Sequence, residues 1–352
     1  MDAFRYTALP ARVVFGSGTL EEVPGEMRTL GCRRALILSD TFHEKNAAAT
    51  LRSLLGSVAA GISTDAVMHT PVEVTSQVME TVKQLGIDCL VALGGGSTIG
   101  LSKALALRTD LPQIVVPTTY AGSEATPILG QTEHGRKTTL RSAAVLPEVI
   151  VYDVDLTIGM PVKLSVTSGI NAVAHAVEAL YAEDANPVTS LLAEKAIASF
   201  AFALPRISEK ADDREAREQA LFGAWASGIC LGAVGMALHH KLCHTLGGSF
   251  DLPHAETHTV VLPHAAAYNA AAAPAAMERI AKALGVDHAP SGLFDLAHRL
   301  GGPTALKDIG MQECDIEAAV EAALVAPYWN PAPIEPGRLR DLLNNAFHGT
   351  RP

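Results

Sequence analysis

A change of pattern near residue 160 constrains this chain more than any other feature of its sequence. Before it, short apolar runs rich in β-branched residues alternate with helical stretches: Arg34 to Ser39 (RALILS), Asp88 to Leu93 (DCLVAL), Gln113 to Pro117 (QIVVP) and Glu148 to Tyr152 (EVIVY). That alternation predicts a parallel sheet with helical crossovers. Runs without polar alternation are what strands covered on both faces require. After it, Ala, Leu, Glu and Lys dominate and apolar residues recur every three or four positions, as in Leu191 to Phe200 (LLAEKAIASF). The chain therefore reads as an α/β domain of residues 1–160 followed by an all-helical domain of residues 161–352, with Gly159 and Pro161 punctuating the boundary. A length of 352 residues suits two domains, at roughly 100 to 200 residues each.

Bulk properties exclude several functions. Hydrophobic residues make up 48% and charged residues 18%, yet no uninterrupted apolar run reaches the ~18 residues that would cross a bilayer, so no membrane partner is expected. The opening MDAFRYTALPARVVFG has an acid at position 2 and no apolar core. It does not resemble a secretory signal, and cytoplasmic residence is the expectation. The cysteines, Cys32, Cys89, Cys230, Cys243 and Cys314, are scattered and lack a CxxC pair, which argues against a disulfide framework and a thiolate zinc site. A formal charge of −10 without a basic run argues against nucleic acid.

Two loops look built for a ligand. The strand ending at Leu93 leads into Gly94, Gly95, Gly96, Ser97 and Thr98, then into helical Leu101 to Leu107. Glycines let backbone N–H groups approach a pyrophosphate, and the helix presents its positive end to the same anion. The spacing is not GxGxxG, and the bland alternative is a tight turn. A second strand delivers PTTYAGSEAT, with Thr118, Thr119 and Thr126 as cofactor contacts, at the place where an open parallel sheet holds its ligands. Asp40, at the end of the first strand, can accept both hydroxyls of an adenosine ribose and repel a 2′-phosphate. That favours NADH and leaves NADPH open. Asp40 reads equally well as a cap or turn residue.

Six of thirteen histidines fall between Leu238 and His264. His240 and His244 are four apart and so share a helical face, as do Asn171 and His175 upstream. Gly247 and Gly248 are expected to end that helix, and His254 to sit in a loop after Pro253. Histidine serves proton transfer, metal binding and anion recognition alike. His258 and His264 read as turn or capping residues, His239 as structural and Lys241 as solvated.

At these residues the chain resembles the iron-containing alcohol dehydrogenase family, whose members pair a GGGSxxDxxK loop and a PTTxxxGSE-like loop with a helical domain carrying DxxxH, HxxxH and a later PH. The resemblance runs from Arg12-Val-Val-Phe-Gly16 to Asn330-Pro331. It implies a Rossmann-like, dinucleotide-binding sheet domain followed by a helical catalytic domain: the dehydroquinate synthase-like, group III alcohol dehydrogenase fold. It places the family's four metal ligands on Asn171, His175, His240 and His254, an additional active-site histidine on His244, a cofactor-contacting lysine on Lys137, and a homodimer as the assembly. Tyr120 stands where a small residue is usual and becomes a candidate substrate contact. The terminal NPRP wording has Ala332 in place of its arginine.

Two departures stand out. The family's aspartate ligand is Asn171 here, and the aspartate of its glycine loop is Gly100. An amide is a poor partner for a divalent ion and supplies no charge, although three histidines can bind zinc. The expectation is therefore chemistry without a metal. The wording GGGSTxGLxK, PTTYAGSEATP and DLPHAETHxVVLPH resembles the maleylacetate reductase branch, which implies reduction of the C=C bond of a small dianionic unsaturated keto acid. On that reading His244 is the principal acid, with His240, His254 and His175 on the substrate oxygens and Asn171 donating an amide hydrogen bond. The alternatives are a metal-dependent alcohol dehydrogenase acting on a simple carbonyl, a dehydroquinate synthase-like lyase and a non-catalytic NAD-binding module.

Overall fold

The computed structural model describes all residues except 1, 2, 9, 10, 44, 134, 135 and 327 and the side chains of Arg136 and Lys137. Two compact units emerge, Ala8–Met160 and Pro161–Pro352, the latter joined by the described part of Met1–Thr7.

The first unit holds strands β1 (Arg12–Gly16), β2 (Ala35–Leu38), β3 (Ala59–Ser63), β4 (Cys89–Gly94), β5 (Gln113–Pro117) and, after the antiparallel pair β6 (Ile128–Glu133) and β7 (Arg136–Arg141), β8 (Val149–Asp153). Its helices are α1 (Val23–Thr29), α2 (Ala47–Leu55), α3 (Val72–Leu85) and α4 (Gly96–Thr109). Six strands form one parallel sheet in the order β1-β8-β5-β4-β2-β3. The apolar runs serve two cores at once: Cys89, Val91 and Leu93 face one layer with Ile37 and Ile114, while Leu90 and Ala92 face the other with Leu36, Leu38 and Val115. The period of two along each strand makes this division, so a doubly covered strand can spare no polar residue. The strand order reverses between β2 and β4. The loops after these strands, carrying Asp40 and the glycines, thus flank the switch point where such sheets bind ligands.

Four strands coincide with the expected runs to within a residue at most positions, β4 extending through Gly94. The hairpin β6–β7 and the edge strand β3 were not anticipated.

The second unit contains α5 (Val162–Leu180), α6 (Pro187–Glu209), α7 (Arg214–Ala233), α8 (Leu238–Phe250), α9 (His254–Asn269), α10 (Pro274–Leu284), α11 (Ala289–Arg299), α12 (Asp315–Leu324) and α13 (Pro336–His348). Every residue of α5 from Ser165 to Leu180 is buried. Small residues let its neighbours come close: a Cβ on Gly169 would lie 2.8 Å from Leu204 Cδ2 and one on Gly223 2.9 Å from Phe200 Cε2. Glu194 and Lys195 interrupt the apolar residues of α6, which nonetheless has the length and mean hydropathy, 1.3, of a membrane span. Half of that window is buried, and Ala193, Ile197, Phe200 and Leu204 lie in the core of this unit.

Two local expectations need correction. Helix α8 continues through Gly247 and Gly248 to Phe250 and stops where Asp251 turns left-handed at φ 54°. His254 is not in a loop but opens α9, with Pro253 as its N-cap.

Candidate active site

The glycine loop has the shape of a phosphate cradle. Gly94 ends β4, Gly95 caps α4 and Gly96 and Ser97 form its first turn. A Cβ on Gly94 would strike Thr98 Oγ1 at 2.5 Å and approach Asp40 Oδ2 at 3.3 Å, and one on Gly95 would touch Thr119 at 3.0 Å. Gly96, exposed, has nothing within 4 Å of that position. Glycine is thus demanded below and open space left above, beside a helix N-terminus; these residues fit a dinucleotide's diphosphate. The N–H of Thr118 donates to Gly94 O at 3.1 Å, tying the second loop to the first. Asp40 holds the backbone N–H and ring Nδ1 of His43, each at 2.9 Å, so it closes a turn while bordering the glycines.

Other predicted contacts fall differently. Thr126 is spent inside the protein: its hydroxyl donates to Ser123 O at 2.8 Å and accepts from Lys103 Nζ at 3.0 Å. Tyr120 is wholly buried. Lys137 lies on β7 opposite Thr132, but its side chain is outside the described residues. Gly100 leaves no room for a side chain while Thr70 keeps its place: a Cβ there would lie 2.4 Å from Thr70 Oγ1.

Lys103, the last residue of the GGGSTxGLxK wording, escaped the sequence reading. Its buried ammonium donates to Ser123 O (2.6 Å), Thr126 O (2.7 Å), Thr126 Oγ1 and Ile128 O (both 3.0 Å). Burial pulls its pKa down to about 7, opposed by the neighbouring Glu124 carboxylate. A lysine inside an otherwise apolar helix face was the available signal, because such a group must be paired.

In the helical unit the histidines converge. His175 Nδ1 lies 2.8 Å from His240 Nε2, and His240 Nδ1 lies 2.7 Å from Glu178 Oε2. Glu178 is fully buried and also accepts the backbone N–H groups of Ala237 (2.9 Å) and His239 (2.8 Å) at the start of α8. A carboxylate there balances the helix dipole as well as the ring. Because the carboxylate accepts, a proton on His240 Nδ1 points at it; in that tautomer His240 Nε2 accepts from His175 Nδ1. Both nitrogens of His240 are engaged, which corrects the expectation that it holds a substrate oxygen. His244 and His254 are exposed, with the His244 ring centroid 6.1 Å from that of His240.

His258 is no turn residue. It sits buried inside α9, its ring centroid 4.4 Å from His254, 4.8 Å from His239, 5.1 Å from His240 and 6.2 Å from His175. His239, also buried, approaches His258 Nδ1 with its Nε2 at 2.9 Å. Burial first, and neighbouring imidazoles second, hold both far below the ordinary histidine range, so both are neutral. His264 stands apart against Phe294, pulled to about 4 by burial. Asn171 is buried one turn before His175, with Oδ1 unpaired.

The donor set does not fit a divalent metal. Position 171 offers an amide, and two of the three imidazoles hydrogen-bond each other through nitrogens that an ion would claim. Glu178, the nearby anion, already serves three N–H donors. Among the described residues, the one converging trio of ligand atoms is His239, Cys243 and His258, within 4.8 Å of one another, and it includes none of the four family positions.

A parallel-sheet unit with a diphosphate cradle, followed by a helical unit centred on histidines, is the architecture of an oxidoreductase. Residues 10–154 match the iron-containing alcohol dehydrogenase domain and residues 165–347 the C-terminal domain of the Fe-containing alcohol dehydrogenase family. The chain belongs to the iron-containing alcohol dehydrogenase family. Over the whole of both chains it is 55% identical to the maleylacetate reductase of Rhizobium sp. (strain MTP-10005) and 52% identical to that of Burkholderia cepacia. The crystal structure of maleylacetate reductase from Agrobacterium tumefaciens is similar with a TM-score of 0.97 at 55% identity, again across all of both chains.

Proposed function

We propose that this enzyme is a maleylacetate reductase that uses NADH, and works without a metal, to convert maleylacetate to 3-oxoadipate in the breakdown of aromatic compounds. The observation that carries the reading is the Glu178–His240–His175 chain beside an amide at position 171: a site arranged to place protons rather than to balance a dication. Full-length identity of 55% to a maleylacetate reductase supports the same substrate. Asp40 beside the glycine loop supports NADH over its 2′-phosphorylated form.

Bound NADH supplies a hydride to the alkene carbon β to the ketone. The protein's task is the enolate that results. An imidazole N–H of His254 and the amide N–H of Asn171 stabilise the oxyanion, while His175, its Nδ1 proton committed to His240, backs the site; one such donor is commonly worth about 2.7 to 4 kcal/mol. His244, exposed and so able to exchange protons with water, delivers a proton to the carbon next to the ketone, a contribution of roughly a hundred- to ten-thousand-fold. Neutral His239 and His258 pack behind these groups and hold them in place.

The test follows NADH oxidation with maleylacetate for the wild type and His244→Ala, with and without a chelator. The wild type is expected to turn over, undiminished by chelation, and the variant to lose at least about a hundred-fold in kcat. A wild type inert towards maleylacetate but active on simple aldehydes overturns the assignment. Chelator-sensitive turnover with bound iron or zinc overturns its metal independence.

A further inference from the structure

Helix α8 carries a cation that the site as described leaves unused. Lys241 lies between His240 and His244 and is the only Lys or Arg between Arg217 and Arg279. Its side chain is half-buried, and its ammonium lies 5.5 Å from the centroid of the Tyr328 ring, with no carboxylate paired to it among the described residues. The Tyr328 hydroxyl is itself buried without a hydrogen-bond partner. Burial holds that phenol protonated well above its ordinary range, and Tyr268 and Glu178 push the same way.

The placement is not accidental. Asn330 accepts the Leu238 N–H at 3.3 Å and exchanges two amide bonds with Asn269, at 3.0 and 2.7 Å, while the Tyr268 hydroxyl donates to Pro333 O at 2.7 Å. The segment around Tyr328 is thereby pinned to the first turn of α8. It brings no cation of its own, since position 332 is a buried alanine. An ammonium over the ring of Tyr328, with no carboxylate paired to it, complements a carboxylate, which offers two oxygens and no donor.

We propose that Lys241 and Tyr328 form a carboxylate subsite for the end of the substrate next to its ketone, and so determine selectivity for a dianion. The inference rests on the reading of this enzyme as a maleylacetate reductase. Histidines hold the ketone oxygen, and Lys241, three residues before the proton donor His244, shares its side of the helix. The carboxylate one methylene from the ketone is therefore the one within its reach; the other, conjugated to the alkene, lies at the far end.

Steady-state kinetics with two substrates test this: maleylacetate, and cis-4-oxopent-2-enoate, which keeps the enone and its attached carboxylate but lacks the one beside the ketone. Where the analogue turns over slowly, its inhibition constant replaces KM. Lys241→Met is expected to raise KM for maleylacetate ten-fold or more, with a far smaller change in kcat and no comparable change for the analogue. Lys241→Arg should restore most of the loss, and Tyr328→Phe should shift KM in the same direction by less. Equal losses on both substrates, or none on either, overturn the subsite. A wild type inert towards maleylacetate overturns the functional reading and takes the subsite with it.

Discussion

A carboxylate with no exposed surface persists only if its oxygens are used, and Glu178 uses both, on two backbone N–H groups and the His240 ring. Glu178→Gln keeps the shape but turns one end into a donor facing donors. The expected result is a fall in kcat larger than the change in KM, together with a loss of about 1 to 3 kcal/mol from the stranded group, read by initial rates and urea unfolding. A purely structural role would move stability and leave the kcat-to-KM split untouched. His175 and His240 were legible from their spacing, but Glu178 was not singled out, although it continues the stripe of Asn171 and His175 at the seventh position. A glutamate in a helix usually faces water; only the burial of α5 on every side makes this one a participant. That both nitrogens of His240 are already engaged was equally beyond sequence, because hydrogen bonding to residues 62 and 65 positions away leaves no local mark.

Between elements, the decisive contact runs from α4 to the loop after β5. Four oxygens surround the Lys103 ammonium, so one side chain sets the path of the segment from Ser123 to Ile128. Lys103→Met removes the donor and leaves those acceptors buried. We expect the dissociation constant of NADH, followed by fluorescence titration, to rise ten-fold or more, while KM for maleylacetate changes much less. An unchanged affinity for NADH would show that the two cofactor loops hold their places independently. The strands beside this loop were legible because they are apolar on both faces. Edge strand β3, Ala59–Ser63, was not, since AAGIS carries a single β-branched residue. The end of α8 was misread because paired glycines usually stop a helix, whereas here the stop is Asp251.

On the scale of the whole molecule, buried neutral histidines make the fold sensitive to acid. His264 titrates near 6.5 in an unfolded chain and at about 4 in the native one, because burial disfavours its charged form. Between those values the unfolded state binds more protons, so stability falls as pH drops through that window, by about 3 kcal/mol from this group. His239 and His258, also depressed, add in the same direction. His264→Leu should therefore flatten the decline in urea midpoint between pH 6.5 and 4.5; an equally steep decline would assign it to other groups. The division into sheet and helical parts was readable from periodicity, but the pairing of rings drawn from α5, α8 and α9 emerges only once the chain is folded. Thr70 fills the space that a side chain at position 100 would need. Any side chain gained at position 100 thus depends on a prior change at another site, since Thr70 must yield before Gly100 can change. Such ordering of permitted mutations works as a ratchet on the glycine loop.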